Sequence, residues 1–194
     1  MKIWTGHTGE AHITAELFRT LLIGIFGMGS YIFQVWEKFE HTLESNNSML
    51  IKRGMMIHHG NVSYVNEKTG DHVTITNGTQ GMKRIDLIVN RYKREELSGK
   101  ESNEWVHIPG TPDASDPKPP AYNNGNVMEG ALIDDCPVFQ IELDGLNITK
   151  VTNLLPVHAG YQEKIRGGWQ TPIKGGTSAP TGGKDGDVYI QFEN

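Results

Sequence analysis

The chain has 194 residues, a formal net charge of −5 and 37% hydrophobic residues, which suits one domain, or one domain with an appendage. It carries no basic stripe, which argues against a nucleic-acid partner, and its single cysteine excludes an intrachain disulfide. The apolar run at 21–28 is too short to cross a bilayer, so no membrane partner is expected. The 23 glycines, spread between short apolar runs, favour a mainly β fold with frequent turns.

Residues 1–30 are predicted to form an N-terminal arm with a short helix. Thr14 is a candidate helix N-cap, because its hydroxyl can accept a hydrogen bond from the first helical turn. The apolar residues that follow have the spacing of one helix face: Phe18, Leu21, Leu22 and Ile25. Gly24, Gly27 and Gly29 are expected to end the helix early. Two interpretations stay open, in which the arm completes the core of its own domain or docks on a neighbouring subunit.

Short runs of alternating apolar and polar residues from Tyr31 onward predict a series of strands. Strands are expected at 49–57 and 62–65, joined near His58–Asn61, and Glu67–Asp71 is interpreted as a hairpin loop. Turn signals recur about every 8–12 residues, which is typical of a β-sandwich or small barrel.

The strand at 85–92 has the clearest pattern of the chain. Ile85, Leu87 and Val89 alternate with residues of the opposite face and are expected to lie on a well-buried side. Residues 109–126 hold five prolines and little apolar sequence, which predicts an extended excursion over the surface.

A last core strand is expected at 138–143, and the composition changes after Asn153. The predicted organisation is an N-terminal docking arm at 1–30, a β-sandwich or barrel domain at 31–150, a linker with a candidate short helix at 151–172 and a glycine-rich C-terminal tip at 173–194. A strand predicted at 188–192 in the tip needs a partner, because a lone strand is not stable in water.

Five short motifs follow one another in a defined order. They are the segment Thr5–Glu10 with His12 and Thr14, the glycine pair Gly54 and Gly60, the core Asn77–Tyr92, the loop Gly110–Pro112 and the strand Pro137–Asn147. In this order they resemble baseplate or tail-fibre-proximal structural proteins of tailed phages and prophages of Gram-positive bacteria. The resemblance covers about residues 5–150, and it implies a part of the virion that carries no catalytic residues.

The residues themselves predict no catalytic, cofactor-binding or metal site. No nucleophile–base set or phosphate loop has the required spacing. His58 and His59 are adjacent, and neighbouring residues of a strand point to opposite faces, so they are not expected to share an ion. A metal between subunits on a threefold axis, which needs one histidine per chain, stays open.

Two charged clusters are interpreted as solvated surface. Asp134–Asp135 is assigned to an exposed turn rather than to a calcium site. The basic residues of the central region are assigned to one solvated strand face: Lys83, Arg84, Arg91, Lys93 and Arg94. Cys136 is interpreted as a small buried apolar residue.

The sequence therefore predicts a structural virion protein and not an enzyme. It would be a tail baseplate or fibre-adaptor subunit, made in the cytoplasm of the host bacterium, that assembles as a homo-oligomer, preferably a trimer. It would contact other tail or baseplate proteins and position the host-recognition module. A carbohydrate-binding module for host cell-wall polysaccharide is a competing interpretation, with Trp105, Tyr122 and Trp169 as candidate contact residues. A head or neck appendage and a component of a wall-degrading enzyme also stay open.

Overall fold

An α-helix, α1 (Ala15–Phe26), precedes a series of antiparallel strands in the computed structural model, which describes residues 13–159, 174–176 and 189–191. The Oγ1 of Thr14 accepts a hydrogen bond from the Leu17 N–H at 3.2 Å, which confirms the predicted N-cap. The helix ends at Gly27, whose φ is +80°. Gly24 lies inside the helix, so the expectation that it ends the helix is wrong. An interior glycine costs a helix only about 1 kcal/mol, which neighbouring turns can offset.

Eleven strands follow the helix in the described range 13–159. They are β1 (Tyr31–Phe33), β2 (His41–Ser45), β3 (Ser48–Ile51), β4 (Gly54–His58), β5 (Asn61–Val65), β6 (Asp71–Thr74), β7 (Lys83–Arg94), β8 (Glu101–Ile108), β9 (Ile133–Asp144), β10 (Asn147–Asn153) and β11 (Val157–His158). They form three sheets with the orders β11-β1-β4-β5, β2-β3-β6 and β10-β9-β7-β8. The fold is mainly β and sandwich-like, as predicted, and the strands of the described residues close no barrel.

All three sheets contribute to one apolar core. β7 and β9, the two longest strands, lie side by side in the centre of the third sheet. The core side chains come from every layer: Ile32, Phe39, Met49, Ile51, Met56, Val65, Val73, Ile75, Ile88, Cys136, Val138, Phe139, Ile141 and Leu143. A β-bulge shifts the register so that Ile88 pairs with Phe139 and Val89 with Pro137. The extra residue lets the neighbours Val138 and Phe139 both reach the core.

β7 is buried on both of its faces. Leu87 and Val89 are buried as predicted, and Asp86, Ile88 and Asn90 of the opposite face are buried as well. β7 lies between β8 and β9 in the third sheet, and its Ile88 belongs to the core cluster to which side chains of the two smaller sheets contribute.

Two predicted strand connections differ from the structure. The segment 49–57 is broken at Lys52–Arg53, and its halves β3 and β4 belong to different sheets. Phe39 packs beside the break, where a Cβ on Gly54 would lie 2.4 Å from its ring. The motif glycine at 54 is therefore needed for this close approach. The loop Glu67–Asp71 links β5 to β6 across two sheets and is not a hairpin.

The C-terminal unit, His158–Asn194, is separate from the first unit, Met1–Val157. Its described strands are β12 (Lys174–Gly176) and β13 (Tyr189–Gln191), which pair in parallel. The strand predicted at 188–192 thus has a partner within its own unit. Residues 154–159 form no helix, and the rest of the predicted linker helix lies outside the described residues.

Leu87→Ala is expected to lower the free energy of unfolding by roughly 2–5 kcal/mol, because it removes most of a buried side chain from the centre of β7. Leu87 is 4% exposed, whereas Leu97, in the β7–β8 turn, is fully exposed. Leu97→Ala should therefore change stability by no more than about 0.5 kcal/mol. Urea unfolding of both variants measures the difference, and equal losses would contradict the burial of β7.

Candidate functional site

A buried carboxylate on β7, Asp86, collects donors from three segments. Arg84 donates to both of its oxygens, at 2.7 and 2.9 Å. The Nε2 of His107 lies 2.8 Å from Oδ2, and the Gly110 N–H donates to Oδ1 at 2.9 Å. Arg84 also donates to the carbonyl oxygen of Asn77 at 3.1 Å. Asp86 and Arg84 therefore join the turn before β7, the strand β8 and the loop after β8.

The ion pair of Asp86 with Arg84 is internal rather than solvated. Asp86 is 0% exposed and Arg84 is 5% exposed. Burial of the Asp86 carboxyl raises its pKa, but the hydrogen bonds from His107, Arg84 and Gly110 outweigh burial and hold the pKa below its ordinary value of 3.8. The assignment of Arg84 to a solvated strand face is therefore wrong.

Asp135 on β9 forms a second internal ion pair. It accepts two hydrogen bonds from Arg91, at 2.6 and 2.8 Å, and two more from the backbone and side-chain amides of Asn123, each at 3.0 Å. Asp134 and Asp135 are each 1% exposed. The predicted exposed turn at this position is wrong, because each carboxylate is buried against partners that are distant in sequence.

His58 and His59 meet on one carboxylate, contrary to the expectation that they face apart. His58 ends β4, whereas His59 and Gly60 form the turn to β5 with φ values of +47° and +76°. Two positive φ values define a type I′ hairpin turn, which takes His59 out of the strand alternation. The His58 Nε2 and the His59 Nδ1 lie 3.1 and 2.8 Å from the two oxygens of Asp134. The two imidazole rings are 3.9 Å apart between centroids.

Among the described residues, His58, His59 and Asp134 form the one group of at least three His, Cys, Asp or Glu side chains that could hold a metal ion. One ligand atom from each of His58, His59 and Asp134 lies within 4.8 Å of the others. Sequence reasoning missed the cluster because it treated His59 as a strand residue. The sequence did hold a signal, which is the pair His59-Gly60 between two apolar runs. A glycine at the second position of such a pair commonly marks a tight hairpin turn.

An open groove lies where β5 faces β8. A ladder of side-chain amides forms part of its wall: Asn61 donates to Asn103 at 3.0 Å, and Asn103 donates to Asn90 at 2.7 Å. Tyr64 lines the same groove and is 61% exposed. The groove thus combines polar amides with one exposed aromatic ring.

The predicted aromatic contact residues are not gathered in one place. Trp105 lines the groove, but its ring packs edge-on against Phe39 at 5.4 Å and its Nε1 donates to Asp71 at 3.1 Å. Tyr122 is 42% exposed and lies beside a different, shallower depression. Trp169 lies outside the described residues. Tyr64, which the sequence did not single out, is the more exposed ring.

The sides of α1 differ in what they contact. Arg19 forms an ion pair with Glu101 and stacks over the Tyr92 ring at 5.4 Å, and Phe26 packs edge-on against Phe33 at 5.1 Å. Six large apolar side chains of the helix and of its two flanks stay 43–53% exposed: Ile13, Leu17, Phe18, Leu21, Ile25 and Met28. We call these six residues the apolar stripe. No helix of the described residues has the length and apolar character needed to cross a membrane.

Cys136 is a core residue, as predicted. It is 1% exposed, and burial raises the pKa of its thiol to about 12. A thiol in this state is a poor nucleophile at neutral pH, because the thiolate is the reactive form.

Comparison with known proteins adds no family to this picture. No family model matches the chain, and neither a curated protein nor a solved structure shows significant similarity to it. The resemblance to phage tail structural proteins therefore stays a prediction from the order of the motifs.

Asp86→Asn is expected to reduce the free energy of unfolding at pH 7 by roughly 3–5 kcal/mol, because it leaves the buried Arg84 guanidinium without its counter-charge. The lowered pKa of Asp86 stabilises the fold above the ordinary value of 3.8, and this contribution is lost as pH falls below it. The loss of stability in acid should therefore be shallower in the variant than in the wild type. Denaturant unfolding from pH 7 to pH 3 measures both, with exposed Asp116→Asn as the control. An unchanged acid slope would contradict the role given to Asp86.

Proposed function

We propose that this chain is a structural subunit of a tailed-phage particle, a baseplate or fibre-adaptor protein that docks through α1. The observation that supports docking is the apolar stripe, whose six large side chains remain about half exposed in the single chain. Leu17, Leu21 and Ile25 follow one another at four-residue spacing on the helix, and contiguous apolar surface marks an interaction site more often than an isolated exposed leucine does. The order of the five motifs supports the choice of a phage tail protein.

The helix is held in a position suited to docking. Its contacts to Glu101, Tyr92 and Phe33 fix it on the β body, so a partner would meet a preformed surface, which reduces the ordering cost of binding. Full burial of a large apolar side chain is worth about 1.5–3 kcal/mol. Covering the exposed half of six such residues would contribute on the order of 5 kcal/mol or more.

In this role the protein would lie in the virion tail, after synthesis in the host cytoplasm, and would act without catalysis. Its neighbour at the apolar stripe is another tail subunit, either a copy of this chain or a different baseplate protein. A homotrimer is the preferred assembly. The strand at 188–192 no longer supports it, since β12 already pairs with that strand, so support for self-association rests on the apolar stripe.

Replacing Phe18 and Leu21 together by serine should leave the β body folded and abolish incorporation into tail particles. These side chains are 51% and 43% exposed, so their loss removes docking surface and little internal packing. Thermal unfolding of the purified variant and its incorporation in a complementation assay measure the two effects. Leu97→Ser, at an exposed position away from the helix, is the matched control and should incorporate normally. Wild-type incorporation of the double variant would refute docking through the stripe.

A carbohydrate-binding function is the second candidate, and the groove between β5 and β8 favours it. Sugar rings present apolar faces that pack on aromatic side chains and hydroxyl groups that pair with amides and carboxylates. Tyr64, Asn61 and Asn103 offer this combination at one surface. The core packing of Trp105 makes it a wall of the groove rather than a freely exposed platform.

Under this second function, Tyr64→Ala should abolish binding to fragments of Gram-positive cell-wall polysaccharide while thermal stability stays unchanged. Tyr122→Ala removes an exposed ring at a different surface and should bind as the wild type does. A glycan array read with both variants tests this directly. No binding by the wild type, or equal binding by the two variants, would remove the groove as a carbohydrate site.

A further inference from the structure

We propose that His58, His59 and Asp134 bind a divalent transition-metal ion of the zinc type. The three residues offer two imidazole nitrogens and one carboxylate oxygen, a donor set that suits zinc and its first-row neighbours. These three residues belong neither to the apolar stripe nor to the groove, so metal binding would be independent of the docking function.

The distances require little rearrangement for metal binding. Bonds of about 2.0–2.1 Å in a tetrahedral zinc site place neighbouring ligand atoms about 3.3 Å apart. The His58 Nε2 already lies 3.1 Å from Oδ1 of Asp134, and the His59 Nδ1 lies 2.8 Å from Oδ2. A small outward shift of the two rings would open the space that an ion needs between them and the carboxylate.

Outer contacts already hold two of the ligands in position. The other ring nitrogen of His58, Nδ1, lies 2.7 Å from the Ser30 hydroxyl. Such a partner fixes which nitrogen of a ligating histidine faces the metal. The Val127 N–H donates to Oδ2 of Asp134 at 3.3 Å and orients the carboxylate. Asp134 is 1% exposed, so its charge sits in a medium that screens an ion less than water does.

The site is also open on one side. The His58 and His59 side chains are 13% and 20% exposed, and an open cavity begins at His59 and extends along Gly125, Asn126 and Glu129. Three protein ligands leave a fourth tetrahedral position, and this cavity gives it access to water. A bound ion would connect the tip of the β4–β5 hairpin to β9, and so the first sheet to the third.

The decisive variant is His59→Asn. Position 59 has a positive φ, which asparagine adopts more easily than most residues, and Asn-Gly is the favoured pair for a type I′ turn. The hairpin should therefore form as in the wild type, while the imidazole ligand is lost. His72→Ala is the matched control, since His72 also contacts a single carboxylate, that of Glu44, at an exposed surface.

Isothermal titration of the full-length chain with zinc chloride, and visible absorption after titration with cobalt(II), are the measurements. The wild type and His72→Ala should bind one zinc ion with equal affinity and should give the intense absorption of tetrahedral cobalt. Ser30→Ala, which removes an outer partner, should weaken binding roughly 10–100-fold, and His59→Asn should weaken it more than that. Thermal unfolding without metal should show that Ser30→Ala and His59→Asn are folded.

Two results would overturn the proposal. One is the absence of zinc binding by the folded wild-type chain. The other is zinc binding that His59→Asn leaves unchanged, which would assign the ion to other histidines of the chain.

Discussion

The fold depends on one buried carboxylate, that of Asp86. An unpaired charge at this depth would be strongly destabilising, so each of its donors must be in place when the chain folds. Those donors are Arg84, His107 and the Gly110 N–H, and Arg84 in turn binds the carbonyl of Asn77. The turn at Asn77, the arginine and aspartate of β7 and the loop at Gly110 are therefore parts of one network.

Buried carboxylates that accept hydrogen bonds from distant segments also occur on β9, where they connect the layers of the fold. Asp134 and Asp135 are neighbours and therefore face opposite sides of the sheet. The carboxylate of Asp134 is hydrogen-bonded to the two histidines at the tip of the β4–β5 hairpin. The carboxylate of Asp135 accepts hydrogen bonds from Arg91 and Asn123. Both carboxyl groups have pKa values below the ordinary value, because their hydrogen bonds outweigh the opposing effect of burial. Paired carboxylates thus hold sheet and loop together in a chain whose one cysteine forms no disulfide.

Local patterns in the sequence predicted local structure well. The Thr14 cap and the apolar alternation in β7 are set by neighbouring residues, so the sequence sufficed for them. The buried state of Asp134 was not predictable in this way, since it depends on donors from residues 58 and 59, more than seventy positions away. The candidate metal cluster was missed from the sequence because of one local turn. The positive φ values of His59 and Gly60 turn the His59 ring towards Asp134, and Gly60 was the one signal of that turn in the sequence.

Gly60 also links the hairpin tip to α1. A Cβ at this position would lie 2.9 Å from both the Arg19 carbonyl oxygen and a side-chain carbon of Ile23, so only glycine lets the helix sit this close. The backbone conformation that turns His59 towards Asp134 is therefore the one against which α1 packs. Ser30, which follows the helix, contacts His58 of the same hairpin at 2.7 Å. The position of the helix and the geometry of the histidine cluster are consequently set by one turn. A change that reshapes this turn must therefore alter both the surface that α1 presents and the ligand positions at Asp134.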